Sequence, residues 1–412
     1  MLGCARLGPG RTQVADVPLS SLLSSCLRPE REAAVFRVIQ RFWKEPVISS
    51  EPRGALARRI LAAGEAVAVA GQGEGPVDLS ILIVNYDTVS ILRECLASIY
   101  QHPPSVCFEV LVVDNGSPDG SGDMVRQEFP QVRLLLLGEN TGFARANNLA
   151  LQQARGSLLL LLNSDTRVLD GSLDGLVAAM EEHPQAGVVG CKQIDARGHL
   201  QLTWGRFPTF YREIVRKVLH WRMRIDGSQV RDYLQRKYTS SAQVDWVSGS
   251  CLMARREAVH DAGLLDENIF LYFEDIDWCR RIQRQGWQIL YEPRVKIFHH
   301  GGATAARHLI DALVAYRRSQ FYFCRKYFGD GALRLVKFLV AGKSCLGFAR
   351  HSLVWLTSIR SERRFQAYCA LLTLKKIFLA LFEPVPEPQN GAVSVLATFS
   401  RLEASVDAVD AS

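Results

Sequence analysis

The chain has 412 residues, of which 48% are hydrophobic and 22% are charged, and its formal net charge at pH 7 is +7. This composition predicts a folded protein with a large core, and we expect no nucleic-acid partner. The ten cysteines form no CxxC pair and no cluster with histidine, so neither a zinc site nor a disulfide framework is expected. Without a signal-peptide pattern or an apolar run of about 18 residues, we expect a cytoplasmic protein.

Residues 1–76 are predicted to form a helical N-terminal extension. Apolar residues have helical spacing over residues 33–43, and the Gly- and Pro-containing stretch 71–76 is typical of a flexible linker. From residue 79 strands alternate with helices, which predicts an α/β fold with a mostly parallel twisted sheet flanked by helices. The predicted strands are residues 79–84, 108–113, 132–137, 158–162 and 187–192. The five consecutive leucines 158–162 indicate a buried central strand.

Three of these strands are followed by carboxylates, namely Asp87, Asp114 and Asp165. Ligands of open α/β sheets bind at the carboxyl edge of the strands. There Asp87 and Asp114 can accept hydrogen bonds from a nucleobase or a ribose, and Asp165 can bind Mg²⁺ or Mn²⁺. The alternative for each is an Asx turn or a helix cap. There is no GxGxxG after the first strand and no P-loop motif anywhere, which disfavours a dinucleotide-binding fold and a P-loop nucleotide-binding fold.

Four motifs carry a family resemblance. They are Val84-Asn-Tyr86, Val113-Asp-Asn-Gly-Ser117, Asn140-Thr-Gly-Phe-Ala144 with Asn147 and Asn148, and Leu162-Asn-Ser-Asp-Thr166. In order and spacing they resemble the family 2 glycosyltransferases, most closely the rhamnosyltransferase-like branch, over about residues 77–330. The resemblance implies a GT-A fold, with the catalytic domain at residues 77–305. It also implies inverting transfer of a sugar from a dTDP- or UDP-linked donor.

By matching position, the resemblance places Asp114 on the base and Asp165 on the divalent metal. The other predicted donor-binding residues are Asn85, Asp87, Asn115, Gly142, Asn147 and Asn163. The family's metal motif is often Asp-x-Asp, and here Asn163 holds the first position. Asp165 is therefore the only carboxylate in this turn.

The second half of the chain is predicted to supply the acceptor side through Trp246, Gly249 and Glu274. Gly249 is small enough for a ligand to approach the backbone closely. The family's Glu-Asp motif places the catalytic base at Asp275, where flanking aromatic residues would raise its pKa and suit it to that role. The alternative is that the acids simply favour the start of a helix, with Asp277 and Arg281 as an ion pair.

His299 is the second predicted metal ligand. The resemblance aligns the family's His-x-Gly-Gly pattern on it, which would complete the coordination begun by Asp165. The alternative is a structural histidine, and His300 is the weaker candidate ligand.

Residues 306–385 are predicted to be basic amphipathic helices. They either lie on the inner face of the cytoplasmic membrane or pack on the catalytic domain with a solvated basic face. Residues 386–412 are predicted to be disordered.

Together these features predict an inverting glycosyltransferase that moves a sugar to a hydroxyl of a glycan or lipid-linked glycan in surface polysaccharide or O-antigen synthesis. Rhamnose is the sugar that the resemblance suggests. Two alternatives remain: a nucleotidyltransferase, and a non-catalytic, membrane-attached relative that binds or scaffolds glycans. A nucleotidyltransferase would be expected to carry a Gly-rich basic loop after the first strand, where this chain has Asn85-Tyr-Asp-Thr88.

Overall fold

A computed structural model describes residues 76–208, 239–302, 307–358 and 361–388. Within these ranges, residues 76–350 and 371–388 belong to one compact unit, and residues 351–370 belong to another. The predicted N-terminal extension and disordered tail lie outside the described residues, apart from residue 76 and residues 386–388. The predicted domain boundaries stay predictions.

Strands and helices alternate along the described residues as the sequence predicts. The strands are β1 (Leu79–Asn85), β2 (Phe108–Asp114), β3 (Arg133–Leu136), β4 (Leu158–Asn163), β5 (Thr166–Val168), β6 (Ala186–Ile194), β7 (Trp204–Gly205), β8 (Ala242–Val244), β9 (Trp246–Val247), β10 (Cys251–Arg255) and β11 (Gln288–His299). The helices are α1 (Val89–Gln101), α2 (Ser121–Glu128), α3 (Phe143–Gln153), α4 (Ser172–Glu182), α5 (Arg256–Ala262), α6 (Glu274–Arg284), α7 (Leu309–Thr357) and α8 (Ser361–Ala380).

One mixed sheet organises the fold, with the strand order β3-β2-β1-β4-β10-β6-β11-β5 and with β8 also paired to β11. The first four strands in this order are parallel to one another, β10 is antiparallel to both of its neighbours, and β11 is parallel to β6. β4 lies in the middle of this order, and its five leucines are all buried. The predicted mostly parallel sheet flanked by helices is confirmed.

The sheet has helices on both faces, which explains why its central strands are apolar along their whole length. Alternate side chains of β1 enter two different apolar cores: Leu79, Ile81 and Ile83 pack with α1, α2 and α4, and Leu82 packs with α3, α5 and α6. The largest fully buried side chain, Trp278 of α6, donates its indole N–H to the carbonyl oxygen of Gly263 at 2.8 Å. These two cores hold the strand ends in fixed positions.

The predicted helical C-terminal region is confirmed as α7 and α8. Gly329 interrupts α7 with non-helical backbone, at φ 78° and ψ −180°. Before this break α7 packs on the turn around Phe273, and after it α7 packs on the end of α8 through Val340 and Ile377. Among the described residues, no helix has both the length and the apolar character needed to cross a bilayer.

Candidate active site

The carboxyl ends of β1, β2 and β4 meet in register at one edge of the sheet. Asn85 lies opposite Asp114, and Val84 lies opposite Asn163. A strand that is buried on both faces must turn where its apolar run ends, and the residues at these three ends are polar. Three of the sequence-predicted donor residues, Asn85, Asp114 and Asn163, are therefore brought together along a single edge.

Asp114 is buried at this edge, and burial raises the pKa of its carboxyl group. Its Oδ1 accepts the backbone N–H of Ser117 at 3.1 Å, in the Asx-turn geometry that the alternative interpretation predicted. Asn85 is also occupied within the chain, because its Oδ1 accepts the hydroxyl of Thr88 at 2.7 Å and its Nδ2 donates to the hydroxyl of Ser117. These contacts fix the loop that would contact a nucleobase.

Asn115 shapes the neighbouring loop. Its Oδ1 accepts the backbone N–H of Thr141 at 2.9 Å, and its Nδ2 donates to Oδ1 of Asn140. Gly142 follows in the left-handed region at φ 89°, and a Cβ there would lie 2.6 Å from the ring of Phe270. Asn147 donates its Nδ2 to the carbonyl oxygen of Phe143 within α3. These three predicted donor residues thus make structural contacts inside the chain.

Asp87 has partners that the sequence did not reveal. Its Oδ2 lies 2.9 Å from Nε2 of His308, and Arg307 donates to its backbone carbonyl oxygen at 2.7 Å. The ring of Tyr86 lies against that of His308, with centroids 5.1 Å apart. The two residues just before α7 therefore cover the turn after β1, and Arg307 brings positive charge to this edge of the sheet.

Asp165 and His299 lie side by side. Their elements meet because β11 pairs with β5, which places His299 opposite Thr166. Nε2 of His299 lies 3.1 Å from Oδ1 of Asp165, and both residues are buried. Oδ2 of Asp165 accepts the backbone N–H of Gly302 at 2.9 Å, so the Gly-Gly turn after β11 also orients the carboxylate. The two predicted metal ligands are brought together.

Gln201 assigns the tautomer of His299. Its Nε2 donates to the carbonyl oxygen of His299 at 2.9 Å, which leaves its Oε1 facing Nδ1 of the same residue at 2.7 Å. Because Oε1 can only accept, this network assigns the ring proton to Nδ1 and a lone pair to Nε2. A metal-binding histidine is commonly oriented by such a hydrogen bond from its other nitrogen.

The pair fits a divalent cation. Nε2 of His299 is buried and makes no hydrogen bond of acceptable geometry to any described residue, although a carboxylate oxygen lies 3.1 Å away. Two acceptors this close need a shared cation or a proton between them, and imidazole and carboxylate are both metal ligands. No cluster of three or more His, Cys, Asp or Glu suited to a metal occurs among the described residues. The remaining ligands would therefore have to come from other groups.

Asp275 lies at the start of α6, partly accessible and held by backbone. Its Oδ2 accepts the N–H of Gly249 at 3.1 Å, and its Oδ1 accepts the N–H of Ile276 at 2.7 Å. Desolvation raises the pKa of this carboxyl group, while hydrogen bonds from Gly249, Ile276 and the Ser248 side chain act in the opposite direction. The turn that aims it contains Tyr272 and Phe273 at positive φ, 66° and 73°. Non-glycine residues adopt such backbone only where packing imposes it.

The loop before β10 connects the two halves of this site. The N–H of Gly249 binds Asp275, and the carbonyl oxygen of Ser250 accepts the N–H of Asn163 at 3.0 Å. The predicted acceptor residue Gly249 therefore lies between the candidate base and the candidate metal turn. A Cβ at Gly249 would lie 3.4 Å from the ring of Phe143, so this position is already closely packed.

The other two predicted acceptor residues are buried. Trp246 donates its indole N–H to the carbonyl oxygen of Arg206 at 3.1 Å and packs in a core. Glu274 is buried, and its Oε2 has no hydrogen-bond partner among the described residues. Burial and the charge of Asp275 both raise the pKa of its carboxyl group. Their contact with an acceptor stays a prediction.

Sequence reasoning missed three residues of this region: Gln201, His308 and Lys326. Gln201 is 98 positions from His299, and His308 is 221 positions from Asp87. Lys326 contacts both Asp277 at 2.6 Å and Asp266 at 2.7 Å, joining α7 to the helix that carries Asp275. None of these residues stands in a motif, so only the arrangement of the chain reveals them.

Comparison with known proteins gives a matching family model and several similar proteins. Residues 80–261 match the model described as Glycosyl transferase family 2. The chain is 29% identical over 303 residues to N-acetylglucosaminyl-diphospho-decaprenol L-rhamnosyltransferase of Mycobacterium tuberculosis, which covers 69% of this chain and 95% of the relative. It is 28% identical over 242 residues to O-antigen biosynthesis protein RfbC of Myxococcus xanthus, covering 56% of this chain and 18% of that protein.

Solved structures are similar at a lower level. The mannosyltransferase PcManGT of Pyrobaculum calidifontis, in complex with GDP-Man and Mn²⁺, aligns with a TM-score of 0.43 at 18% identity, over 80% of this chain and 94% of that one. GalNAc-T7 with UDP, GalNAc and Mn²⁺ aligns with a TM-score of 0.41 at 15% identity, over 68% of this chain and 59% of that one.

Proposed function

We propose that this chain, whose residues 80–261 match the model of glycosyl transferase family 2, is a rhamnosyltransferase-like member of that family and transfers a sugar from a nucleoside diphosphate to a hydroxyl with inversion at the anomeric carbon. The observation that carries this proposal is the position of the loop before β10. Its Gly249 N–H holds Asp275, and its Ser250 carbonyl accepts from Asn163 beside Asp165. One loop thus joins a candidate base to a candidate diphosphate site.

Asp165 and His299 are the residues that would hold a divalent cation, Mg²⁺ or Mn²⁺. When bound, such an ion would neutralise negative charge on the leaving diphosphate. Asp114 ends β2, two strands away from β4, and would accept a hydrogen bond from a nucleobase. Asn85 and Asn115 hold the loops around it. A dTDP- or UDP-linked sugar is the donor class that we propose.

Asp275 is proposed to take the proton from the acceptor hydroxyl. A carboxyl group with a raised pKa is a stronger base than an ordinary aspartate, which suits this step. The deprotonated oxygen then attacks the anomeric carbon as the bond to the diphosphate breaks. Because this is one displacement, the configuration inverts and no covalent intermediate with the protein is formed. The backbone N–H groups of Gly249 and Ile276 fix the orientation of the Asp275 carboxylate.

The name of the mycobacterial relative supports a specific proposal for the substrates. We propose rhamnose as the sugar and a polyprenyl-diphosphate-linked glycan as the acceptor, in the assembly of a cell-surface polysaccharide. A nucleotidyltransferase remains the less favoured candidate. A non-catalytic, glycan-binding role is also less favoured, because the buried Asp165–His299 pair and the backbone-held Asp275 are both present.

A transfer assay tests this proposal. Purified chain is incubated with a panel of dTDP- and UDP-sugars, a polyprenyl-diphosphate-linked N-acetylglucosamine and Mn²⁺ or Mg²⁺, and the anomeric configuration of the product is read by NMR. We expect an inverted product with wild type. With Asp275→Asn we expect a loss of on the order of 10²–10⁴-fold in rate, with nucleoside-diphosphate binding retained. A retained configuration, or an unchanged rate in this variant, would refute the mechanism.

A further inference from the structure

The part of α7 after Gly329 has two opposite faces. One face packs on the end of α8, where Leu333 and Val340 join a buried cluster with Ile377 and Leu381. The opposite face carries four large apolar side chains that are exposed to solvent. They are Leu335, Phe338, Leu339 and Leu346, with exposed fractions of 49%, 73%, 47% and 75%. We call these four residues the α7 apolar face.

The spacing of these residues makes one continuous stripe. Positions three, four, seven and eight residues apart lie on the same side of an α-helix. From Leu335, steps of three, four and eleven residues reach Phe338, Leu339 and Leu346. Since such large apolar side chains cost free energy in water, a contiguous set of them marks an interaction surface.

Basic side chains border the stripe. Arg334, Lys343 and Arg350 are exposed on this helix, and residues 331–350 contain no Asp or Glu. The acid that precedes the segment, Asp330, accepts a hydrogen bond from Arg325 at 3.0 Å. The fourth cation, Lys337, donates to the carbonyl oxygens of Leu381 and Glu383 on the other side. The face is therefore apolar in its centre and positive at its borders.

We propose that the α7 apolar face docks on the surface of an anionic lipid bilayer, with the helix lying in the membrane plane. Apolar side chains on one face and cations beside them are the properties that place a helix at the headgroup boundary. A second copy of the chain is a poorer occupant, because a symmetric contact would bring the positive borders of both copies together without any acid from residues 331–350 to pair them. The proposal does not depend on the sugar-transfer function.

Vesicle sedimentation tests the proposal on the full chain, without donor or acceptor. The probes are vesicles of phosphatidylcholine alone and of phosphatidylcholine mixed with phosphatidylglycerol. We expect binding to the mixed vesicles that weakens as salt rises. The double variant Phe338→Ser/Leu346→Ser should bind them about tenfold more weakly or worse. Leu136→Ser, which alters a leucine that is 51% exposed on β3, is the matched control and should bind like wild type.

Light scattering on the same proteins completes the test, and circular dichroism shows that each variant is folded. Wild type and double variant should have the same mass in solution. The proposal is overturned if the folded double variant binds mixed vesicles as well as wild type. It is also overturned if phosphatidylcholine alone binds equally well, or if wild type is a dimer that the double variant converts to a monomer.

Discussion

Nζ of Lys326 lies 2.6 Å from Oδ1 of Asp277, and the same ammonium lies 2.7 Å from Oδ2 of Asp266. Asp277 is fully buried, two positions after Asp275, and also binds Arg281 and the hydroxyl of Tyr327. This network ties α7 to the start of α6. It supplies part of the packing that holds the strained turn at Tyr272 and Phe273. It therefore helps to fix the orientation of the candidate base, Asp275.

Lys326→Met should therefore destabilise the fold. Removing one partner leaves buried carboxylate charge without full compensation, which costs about 3 kcal/mol. Urea unfolding measures this change. The matched control is Arg318→Met on the same helix, whose ion pair with Glu383 is largely exposed and should contribute under about 1 kcal/mol. Equal costs for the two variants would show that the network does not hold the helices together.

Asp275 should set the acidic limb of the pH–rate profile. A base works only when deprotonated, so kcat/KM should fall as pH decreases through its pKa, which desolvation raises above that of an ordinary aspartate. The hydroxyl of Ser248 lowers this pKa, so Ser248→Ala should move the limb to higher pH. Ser157→Ala, whose hydroxyl donates to the carbonyl oxygen of Asp78, is the control. If the acidic limb does not move in Ser248→Ala, the limb does not report the ionisation of Asp275.

Gly142 allows a test of the steric constraint on the loop before α3. Its φ of 89° and the ring of Phe270, 2.6 Å from where a Cβ would lie, make Gly142→Ala strained, and we expect a loss of about 2 kcal/mol in unfolding free energy. Gly138→Ala, where a Cβ meets no atom within 4 Å, should leave stability nearly unchanged. Thermal unfolding of both variants checks this. A Gly142→Ala variant of wild-type stability would contradict the steric account.

The sequence predicts the sheet well because its signals are local. An apolar run such as 158–162 followed by Asn163 and Asp165 indicates a buried strand and its ligand-facing end, and parallel pairing then brings three such ends together. The motif resemblance further relates Asp165 to His299, which lie 3.1 Å apart. Patterns within a few residues carry this information.

What each polar side chain contacts is not a local property. Asn85, Asn115 and Asn147 fit a donor-binding pattern, but the structure uses their amides to fix loops and α3. The partner of Asp87, His308, lies just before α7, more than two hundred residues later in the chain. No periodicity or composition indicates such a contact, because it depends on where the chain returns to the sheet edge.

The most direct test of the account is calorimetric binding of a nucleoside diphosphate with and without Mn²⁺, on wild type, Asp165→Asn and Gln201→Leu. The control is Asp174→Asn, whose carboxylate binds Ser105 just before β2. We predict metal-dependent binding in wild type and the control, its loss in Asp165→Asn, and about 10–100-fold weaker metal affinity in Gln201→Leu because His299 loses its orientation. Binding that needs no metal, or that survives unchanged in Asp165→Asn, would contradict the account.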